Sequence, residues 1–287
     1  MKEADLIVNP DGSIYHLKLQ PDELPDLVLV SGDPARITSI SDHFDYVEFK
    51  RQNREFVSHA GSMNGIRLLA LSTGIGPDNI DIVMNELDAL ANIDLETREP
   101  KKHHRTLTIV RIGTSGTIHA DIPVGTLVTA SHGLGMDGSL HYYRRLAEVV
   151  DHDLTREFIS QTEWPAFLPT PYIIPGSSTL IQKLSSHGIL GITATAGGFY
   201  GPQGRQIRLR SSFPGMLDAM AKFAYNNNRI VNFEMETSSL FGLGNMLGHQ
   251  VASICVLLAN RATGEYTRNI RADEEKLISY VLEKMTS

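Results

Sequence analysis

Residues 28–36 decide the fold, and they read Val28-Leu29-Val30-Ser31-Gly32-Asp33-Pro34-Ala35-Arg36. A short apolar run is followed by glycine, then by a residue of the N-cap type, and then by proline, which is favoured at the first position of a helix. The pattern predicts a buried strand that turns directly into a helix. Because the first amides of a helix lack partners and favour anions, and Arg36 follows one turn later, the turn suits a phosphate group. An ordinary strand-to-helix turn with a surface arginine explains the same residues.

Apolar runs of strand length recur along the chain and alternate with amphipathic stretches of helical period. The predicted strands are Leu27–Val30, Ile66–Leu71, Leu107–Ile112, Thr126–Ala130, Ile189–Ala196 and Val251–Ala259. The predicted helices are Asp78–Ala91, Ser178–His187, Pro214–Asn226, Thr237–Leu247 and Asp273–Met285. This alternation predicts an α/β fold, a single domain over residues 1–287 with a central mixed β-sheet flanked by helices. The proline-containing stretch Trp164–Gly176 is predicted to be an ordered surface loop.

Composition narrows the class of protein. The net charge is −7 and the basic residues are scattered, with the densest group at Lys101–Arg105, so we expect a solvated loop there and no nucleic-acid partner. The first residues are acidic and no apolar run approaches membrane-spanning length, so we expect a cytoplasmic protein without a membrane partner. The single cysteine, Cys255, excludes an intrachain disulfide and is expected to be a buried strand thiol.

Arg111 interrupts an apolar strand in Ile109-Val110-Arg111-Ile112-Gly113-Thr114-Ser115-Gly116. A buried guanidinium without a partner is costly, so Arg111 must meet either a carboxylate or a bound anion. Thr114 and nearby amides add donors at the carboxyl end of the strand, where α/β folds bind ligands. A core salt bridge and an anion site both remain open. The turn Ser72–Pro77 also follows a strand and is expected to line the same crevice.

Two carboxylates, Glu234 and Glu236, stand one residue apart in Asn232-Phe233-Glu234-Met235-Glu236-Thr237. In extended backbone, alternate residues face the same side. Paired carboxylates would accept hydrogen bonds from vicinal sugar hydroxyls or act as acid and base. Acidic residues are also favoured at a helix N-terminus through the helix dipole. Both interpretations remain open.

A glycine-rich loop, Gly197-Gly198-Phe199-Tyr200-Gly201-Pro202-Gln203-Gly204-Arg205, offers an aromatic face, an amide and a guanidinium. Gln203 both donates and accepts hydrogen bonds, whereas Arg205 only donates. This set complements the carbonyl and N–H edge of a pyrimidine, with Phe199 against the ring. A flexible hairpin without a ligand is the alternative.

Together, these four stretches resemble the uridine phosphorylase branch of the nucleoside phosphorylase family, and they occur in the family's order between about His16 and Ala262. S-G-D-P-A-R and R-I-G-T-S-G look like its two phosphate segments, F-E-M-E-T like its ribose segment, and F-Y-G-P-Q-G-R like its pyrimidine loop. The resemblance implies an enzyme of nucleoside salvage that uses inorganic phosphate as co-substrate to split uridine into uracil and ribose 1-phosphate, with no cofactor and no metal.

The resemblance also implies roles for individual residues. Those expected to bind phosphate are Gly32, Arg36, Arg111 and Thr114, with Arg54 from a neighbouring subunit. Those expected to bind ribose are Met235 and Glu236, with His16 from a neighbouring subunit. Those expected to bind the base are Phe199, Gln203, Arg205 and Arg261. The implied catalytic residues are Arg36, Arg111, Gln203, Arg205 and Glu236. Sites shared in this way imply a homo-oligomer, either a dimer or a hexamer of three dimers.

The chain departs from the family's pattern in three places. The family's double glycine is lost within Ser72–Asn79, so a potassium site is not carried over. The segment Glu96–Arg105 looks inserted relative to the bacterial enzymes. Gln206 stands where an aromatic residue often follows the base-binding arginine, which bears on base selectivity.

Three rival functions belong to the same fold. Purine nucleoside phosphorylases resemble this chain but place an aspartate after the late strand, where Leu257–Arg261 contains none. Nucleosidases share that aspartate and replace the phosphate arginines, which are present here. A catalytically silent nucleoside-binding protein on the same fold is the rival from another class, since a fold does not establish an activity. The intact phosphate residues weigh against it.

Overall fold

The computed structural model describes residues 1–287 and is built around one large sheet. The strands are β1 (Leu27–Ser31), β2 (Tyr46–Asn53), β3 (Phe56–Met63), β4 (Ile66–Ser72), β5 (Ile93–Asp94), β6 (Glu99–Pro100), β7 (Thr108–Thr117), β8 (Leu127–Gly135), β9 (Tyr172–Pro175), β10 (Ile189–Thr195), β11 (Ala224–Tyr225), β12 (Asn228–Glu234), β13 (Gln250–Asn260) and β14 (Glu265–Tyr266). The helices are α1 (Pro34–Ser41), α2 (Pro77–Asn92), α3 (Leu146–Val149), α4 (His152–Thr162), α5 (Ser178–Leu184), α6 (Met216–Lys222), α7 (Thr237–Leu247) and α8 (Ile270–Thr286). Short 3₁₀ turns lie at Pro21–Glu23, Ser139–Tyr142 and Gly201–Gln203. None of these helices combines the length and apolarity that crossing a membrane requires.

The sheet has twelve strands and is mixed, as predicted. Its order is β11-β12-β10-β8-β13-β7-β1-β4-β3-β2, with β9 beside β8 and β14 beside β13. β13 runs parallel to β7 and antiparallel to β8. A further pairing joins Phe233 of β12 to Gly116 of β7 and closes five strands into a ring. This closure brings together the ends of two strands that are far apart in sequence.

Residues 28–36 form the predicted strand and the start of the predicted helix. β1 lies parallel between β4 and β7, and all five of its residues are buried. Val28 and Val30 pack in one hydrophobic cluster with α2, whereas Leu27 and Leu29 pack in another with α1 and α8. Because side chains alternate across a strand, helices cover both faces of the sheet. Asp33 caps α1 by accepting a hydrogen bond from the Ala35 N–H at 2.8 Å.

All six predicted strands form, and four of the five predicted helices form with close to the predicted limits. The fifth, Pro214–Asn226, is wrong beyond Lys222: α6 ends there and a hairpin joins β11 to β12. Asn226 and Asn227 adopt positive φ angles of 46° and 64°. Consecutive residues of this kind make a tight turn whose twist suits a hairpin, and asparagine tolerates the conformation.

Part of the predicted surface loop Trp164–Gly176 is also wrong, because Tyr172–Pro175 forms the buried strand β9. Tyr172 is only 1% exposed. A proline at the end of this strand is compatible with pairing because β9 hydrogen-bonds only to β8 and is an edge strand. The strands β2 and β3 were not predicted. β2 alternates between exposed and half-buried residues and has no continuous apolar run.

A third hydrophobic cluster lies beneath α4 and α6. Phe158 of α4 is fully buried there, with ring centroids 5.4 Å from Phe223 and 5.5 Å from Trp164.

We expect Phe158→Ala to lower the free energy of unfolding by about 3–5 kcal/mol, because it removes buried aromatic surface and leaves a cavity. Phe167→Ala makes the same chemical change at a side chain that is 69% exposed, and it should cost less than about 0.5 kcal/mol. Urea unfolding of the two variants measures the difference. Equal losses would contradict this description of the core.

Candidate active site

A cavity of about 740 Å³ opens at the carboxyl ends of β1, β4, β7 and β12. This is where open α/β sheets bind their ligands. The lining includes nine of the twelve predicted site residues: Gly32, Arg36, Arg111, Thr114, Phe199, Gln203, Arg205, Met235 and Glu236. Gly74 and Ile75 of the turn after β4 also line it, as expected from the sequence. The four stretches singled out in the sequence therefore meet at one place.

Arg36 is not a surface arginine, and that alternative is wrong. Its side chain is 7% exposed. Nη1 donates to Ser31 Oγ at 2.8 Å and to the Ile112 carbonyl at 3.3 Å, and Nη2 donates to Glu274. The first turn of α1 thus carries a guanidinium that is held by β1, β7 and α8 while it borders the cavity.

Arg111 forms the core salt bridge that its position in β7 predicted. Its Nη2 atom lies 3.1 Å from Glu234 Oε2 and donates to Glu236 Oε2, while Nη1 donates to Cys255 Sγ at 3.1 Å. Burial alone would lower the pKa of Arg111, but the two carboxylates outweigh it and hold the pKa above its usual value. Burial likewise raises the pKa of the Cys255 thiol. Arg111 also lines the cavity, so the salt bridge and the ligand site coincide.

The two carboxylates have different surroundings. Glu234 accepts hydrogen bonds from Thr195 Oγ1 and from the backbone N–H groups of Glu236 and Thr237, which is the helix N-terminus interaction. Glu236 instead accepts from the Gly76 N–H at 2.8 Å and from Arg111. Burial raises the pKa of Glu236, and the opposing charge of Arg111 only partly offsets it. Glu234 is therefore mainly structural, while Glu236 keeps lone pairs toward the cavity.

Both arginines keep a buried Nε donor without a partner. Arg36 Nε and Arg111 Nε are buried, and neither forms a hydrogen bond within the chain. An unsatisfied buried donor is costly and rare in folded proteins. Since both side chains line the same cavity, an anion there would supply the missing acceptors.

The glycine-rich loop forms a compact turn rather than a hairpin. Residues Gly201–Gln203 make a 3₁₀ turn, and Gln203 is buried. Arg205 Nη1 donates to Gln203 Oε1 at 2.5 Å and to the Phe199 carbonyl at 2.6 Å, and the guanidinium lies 3.8 Å from the centre of the Phe199 ring. Burial lowers the pKa of Arg205. The Gln203 amide N–H₂ has no acceptor within the chain and is free to bind a ligand.

Three predicted residues do not line the cavity of their own chain: His16, Arg54 and Arg261. Arg261 donates to the Gln203 carbonyl and so helps to hold the glycine-rich loop in place. His16 is held by Glu86, which accepts from His16 Nδ1 at 2.6 Å and from the His16 backbone N–H. Arg54 is exposed, with a positive φ of 54° and its guanidinium 5.7 Å from the Tyr15 ring.

Several cavity residues were not singled out in the sequence. They are Asp33, Pro34, Glu55, Asn79, Ser115, Gly116, Phe233, Leu258, Ala259 and Tyr266, while Glu234, named with Glu236 as a candidate, lines the cavity too. Asp33, Pro34, Ser115, Gly116 and Phe233 lay within quoted motifs, so those motifs were the available signal. Glu55 and Tyr266 carried none, because they reach the cavity from the β2–β3 hairpin and from β14, whose pairing is set by tertiary contacts.

A separate cluster of Asp88, His104 and His249 has potential ligand atoms within 4.8 Å of one another. His249 Nδ1 accepts the Leu107 N–H at 3.2 Å, while Nε2 is buried without a hydrogen bond and lies 3.2 Å from Asp88 Oδ1. A metal-bound histidine instead donates from its outer nitrogen. Because Nδ1 of His249 accepts rather than donates, the cluster does not have the hydrogen bonding of a metal site.

Comparisons with known proteins identify the family. The sequence profile of the phosphorylase superfamily matches residues 26–285. The chain is 29% identical to the uridine phosphorylase of Thermococcus kodakarensis over 265 residues, which cover 89% of this chain and 80% of that protein. It is 28% identical to the uridine phosphorylase of Haemophilus influenzae over 280 residues, 94% and 96% of the two chains. A crystal structure of a Trypanosoma brucei nucleoside phosphorylase described as showing uridine phosphorylase activity superposes with a TM-score of 0.89 and 29% identity, covering 98% of this chain and 99% of that one.

The α/β sheet, the cavity at its carboxyl edge and the profile match over nearly the whole chain lead to one assignment. This chain belongs to the phosphorylase superfamily.

Proposed function

We propose that this chain catalyses the phosphorolysis of uridine, in which inorganic phosphate converts uridine to uracil and ribose 1-phosphate. The observation that carries the proposal is the pair of buried arginines, Arg36 and Arg111, whose Nε donors have no acceptor although both side chains line one cavity. The names and the activity of the similar proteins support the same substrate. The reaction places the chain among the pentosyltransferases of nucleoside salvage.

The phosphate site combines these arginines with backbone and hydroxyl donors. Gly32 and Thr114 line the cavity beside Arg36 and Arg111. A Cβ atom at Gly32 would lie 3.2 Å from the Gly74 carbonyl oxygen, so a larger residue would crowd the turn. Guanidinium groups suit phosphate because their planar N–H groups pair with two oxygens at once.

The ribose and base would occupy the remainder of the cavity. Glu236 offers acceptors for vicinal hydroxyls, with Met235 beside it. The base would contact Phe199 and receive hydrogen bonds from the Gln203 amide and from Arg205, while Arg261 holds the Gln203 backbone. Donors dominate this end of the cavity, and uracil presents two carbonyl oxygens to receive them.

In the proposed reaction, an oxygen of the phosphate dianion forms a bond to C1′ of the ribose while the bond from C1′ to N1 of uracil breaks. The bonding pair remains on the departing uracil, which then takes a proton from solvent. Arg36 and Arg111 orient the nucleophile, whose charge also stabilises the oxocarbenium character at C1′. Gln203 and Arg205 stabilise the negative charge that spreads to the uracil oxygens. No covalent enzyme intermediate, cofactor or metal is required.

The late strand favours a pyrimidine over a purine. Asn260, beside the position where purine phosphorylases carry an aspartate, is buried, and its amide donates to the carbonyls of His119 and Ile122. Its Oδ1 atom accepts from the N–H groups of Ala262 and Thr263. The Asn260 side chain therefore holds the backbone in place. As an amide, it has no carboxyl group with which to protonate a purine.

We further propose a cytoplasmic homo-oligomer with shared active sites and with no nucleic-acid or membrane partner. His16 and Arg54 lie on one exposed part of the chain and are tied together, since the Asn53 amide donates to the His16 carbonyl at 2.7 Å. Neither residue lines the cavity of its own chain. Both would reach the ribose and phosphate of a neighbouring subunit in a dimer or a hexamer.

The first test is uracil release from uridine with and without inorganic phosphate, followed by absorbance, with inosine as the parallel substrate. We expect release from uridine only when phosphate is present. Release without phosphate would identify a hydrolase, and activity on inosine alone would identify a purine enzyme. No turnover, combined with heat protection by uridine, would favour a silent nucleoside-binding protein.

Gln203→Leu should lower kcat for uridine on the order of a hundredfold, because it removes a donor to the departing base at nearly constant volume. Gln161→Leu is the matched control, since Gln161 is an exposed residue of α4. Steady-state kinetics at saturating phosphate measure both variants. Unchanged kcat in Gln203→Leu would remove this residue from the mechanism.

Shared sites can be tested by co-expressing Arg54→Ala with Gln203→Leu, each of which should be nearly inactive alone. In a mixed dimer, one site would combine an intact Gln203 with an intact Arg54 from the partner. Random pairing would then restore about a quarter of the wild-type activity per subunit. Activity no higher than that of either variant alone would show that Arg54 does not act across an interface.

A further inference from the structure

The guanidinium of Arg36 is fixed by three parts of the fold, one of which is the helix α8. Ser31 Oγ and the Ile112 carbonyl accept from Nη1, and Glu274 of α8 accepts from Nη2. Glu274 follows Arg36 by 238 residues and is absent from the cavity lining. The carboxylate therefore reaches the proposed phosphate site only through Arg36.

The hydrogen bonds of Arg36 leave a defined set of donors free. A guanidinium carries five N–H groups. Two on Nη1 and one on Nη2 are used, which leaves the Nε–H, buried without a partner, and the second N–H of Nη2. Two N–H groups suffice for a bidentate contact with two oxygens of phosphate. Glu274 thus holds the guanidinium and still leaves free the two N–H groups that phosphate needs.

Glu274 is itself fixed by packing. Leu277 and Ile278 of α8 share a hydrophobic cluster with Ile37 and Ile40 of α1, the helix that carries Arg36. Asn269 caps α8 by accepting from the Ala272 N–H at 3.1 Å. A carboxylate on a helix docked in this way restricts the rotamers of its partner more than a mobile surface residue would.

We infer that Glu274 is a positioning residue for the phosphate-binding arginine Arg36, an inference that rests on the proposed function. It acts by orienting the free N–H groups of Arg36 toward the cavity. A carboxylate that competed with phosphate or repelled it would have the opposite effect. Removing a positioning carboxylate raises the KM for phosphate, whereas removing a competing or repelling one lowers it.

The test compares Glu274→Gln with the wild-type protein. We expect the KM for phosphate to rise on the order of tenfold, because the isosteric amide removes the charge that fixes Arg36, while the KM for uridine changes by less than about twofold. The matched control is Glu275→Gln, whose carboxylate is 50% exposed and lies 2.8 Å from His43 Nε2. Glu275→Gln should leave both KM values unchanged.

A KM for phosphate in Glu274→Gln that equals the Glu275→Gln value, or that falls below the wild-type value, would overturn the inference. Calorimetric titration with inorganic phosphate alone gives a second readout that does not depend on turnover. Wild-type protein that binds phosphate but does not cleave uridine would refute the proposed function, and weaker binding by Glu274→Gln would still support the inference. Wild-type protein that does not bind phosphate would refute both. Should Glu274→Gln fail to fold, Glu274→Asp, which keeps the charge but shortens the reach, is subject to the same outcomes.

Discussion

The site depends on the buried ion cluster of Arg111 with Glu234 and Glu236. A guanidinium in the middle of a sheet is stable only if its surroundings supply both charge and hydrogen-bond acceptors. β7 provides space for it, since a Cβ atom at Gly113 would lie 2.0 Å from Arg111 Nη1 and 2.9 Å from Cys255 Sγ. Arg111 and Gly113 are two residues apart and face the same side of the strand. The guanidinium therefore lies along its own strand toward the cavity, and only glycine permits this.

The topology of the sheet explains how the carboxylates reach Arg111. Glu234 ends β12 and Glu236 occupies the N-cap position of α7, while the pairing of Phe233 with Gly116 brings β12 beside β7. Without that pairing, the two strands would be separated by the intervening strands of the sheet. Removing either carboxylate would leave Arg111 partly uncompensated in a dry environment, so the ring closure and the ion cluster stabilise each other.

Much of this arrangement was predictable from local sequence, because a charged residue in an apolar strand and glycine-rich turns at strand ends are unusual and have few physical explanations. Arg111 and Gln203 were identified on that basis and Glu236 from its pairing with a second carboxylate, and the cavity brings them together. The link between Glu274 and Arg36 was not predictable, because a salt bridge across 238 residues leaves no local pattern. The β2–β3 hairpin was missed for a related reason. The pairing of β3 with β4 fixes the structure of the hairpin. The alternating exposed and half-buried residues of β2 resemble a solvated segment.

The two phosphate-site arginines are both neutralised by carboxylates. Arg36 is paired with Glu274, and Arg111 is paired with two carboxylates, so neither arginine contributes a free positive charge. What Arg36 and Arg111 offer phosphate is therefore a set of unsatisfied N–H groups, with little net attraction for a dianion. Arg54 forms no salt bridge within its chain and lies on an exposed turn near Tyr15. If Arg54 enters the site of a neighbouring subunit, it adds an uncompensated positive charge beside these two arginines, and phosphate affinity is then linked to assembly.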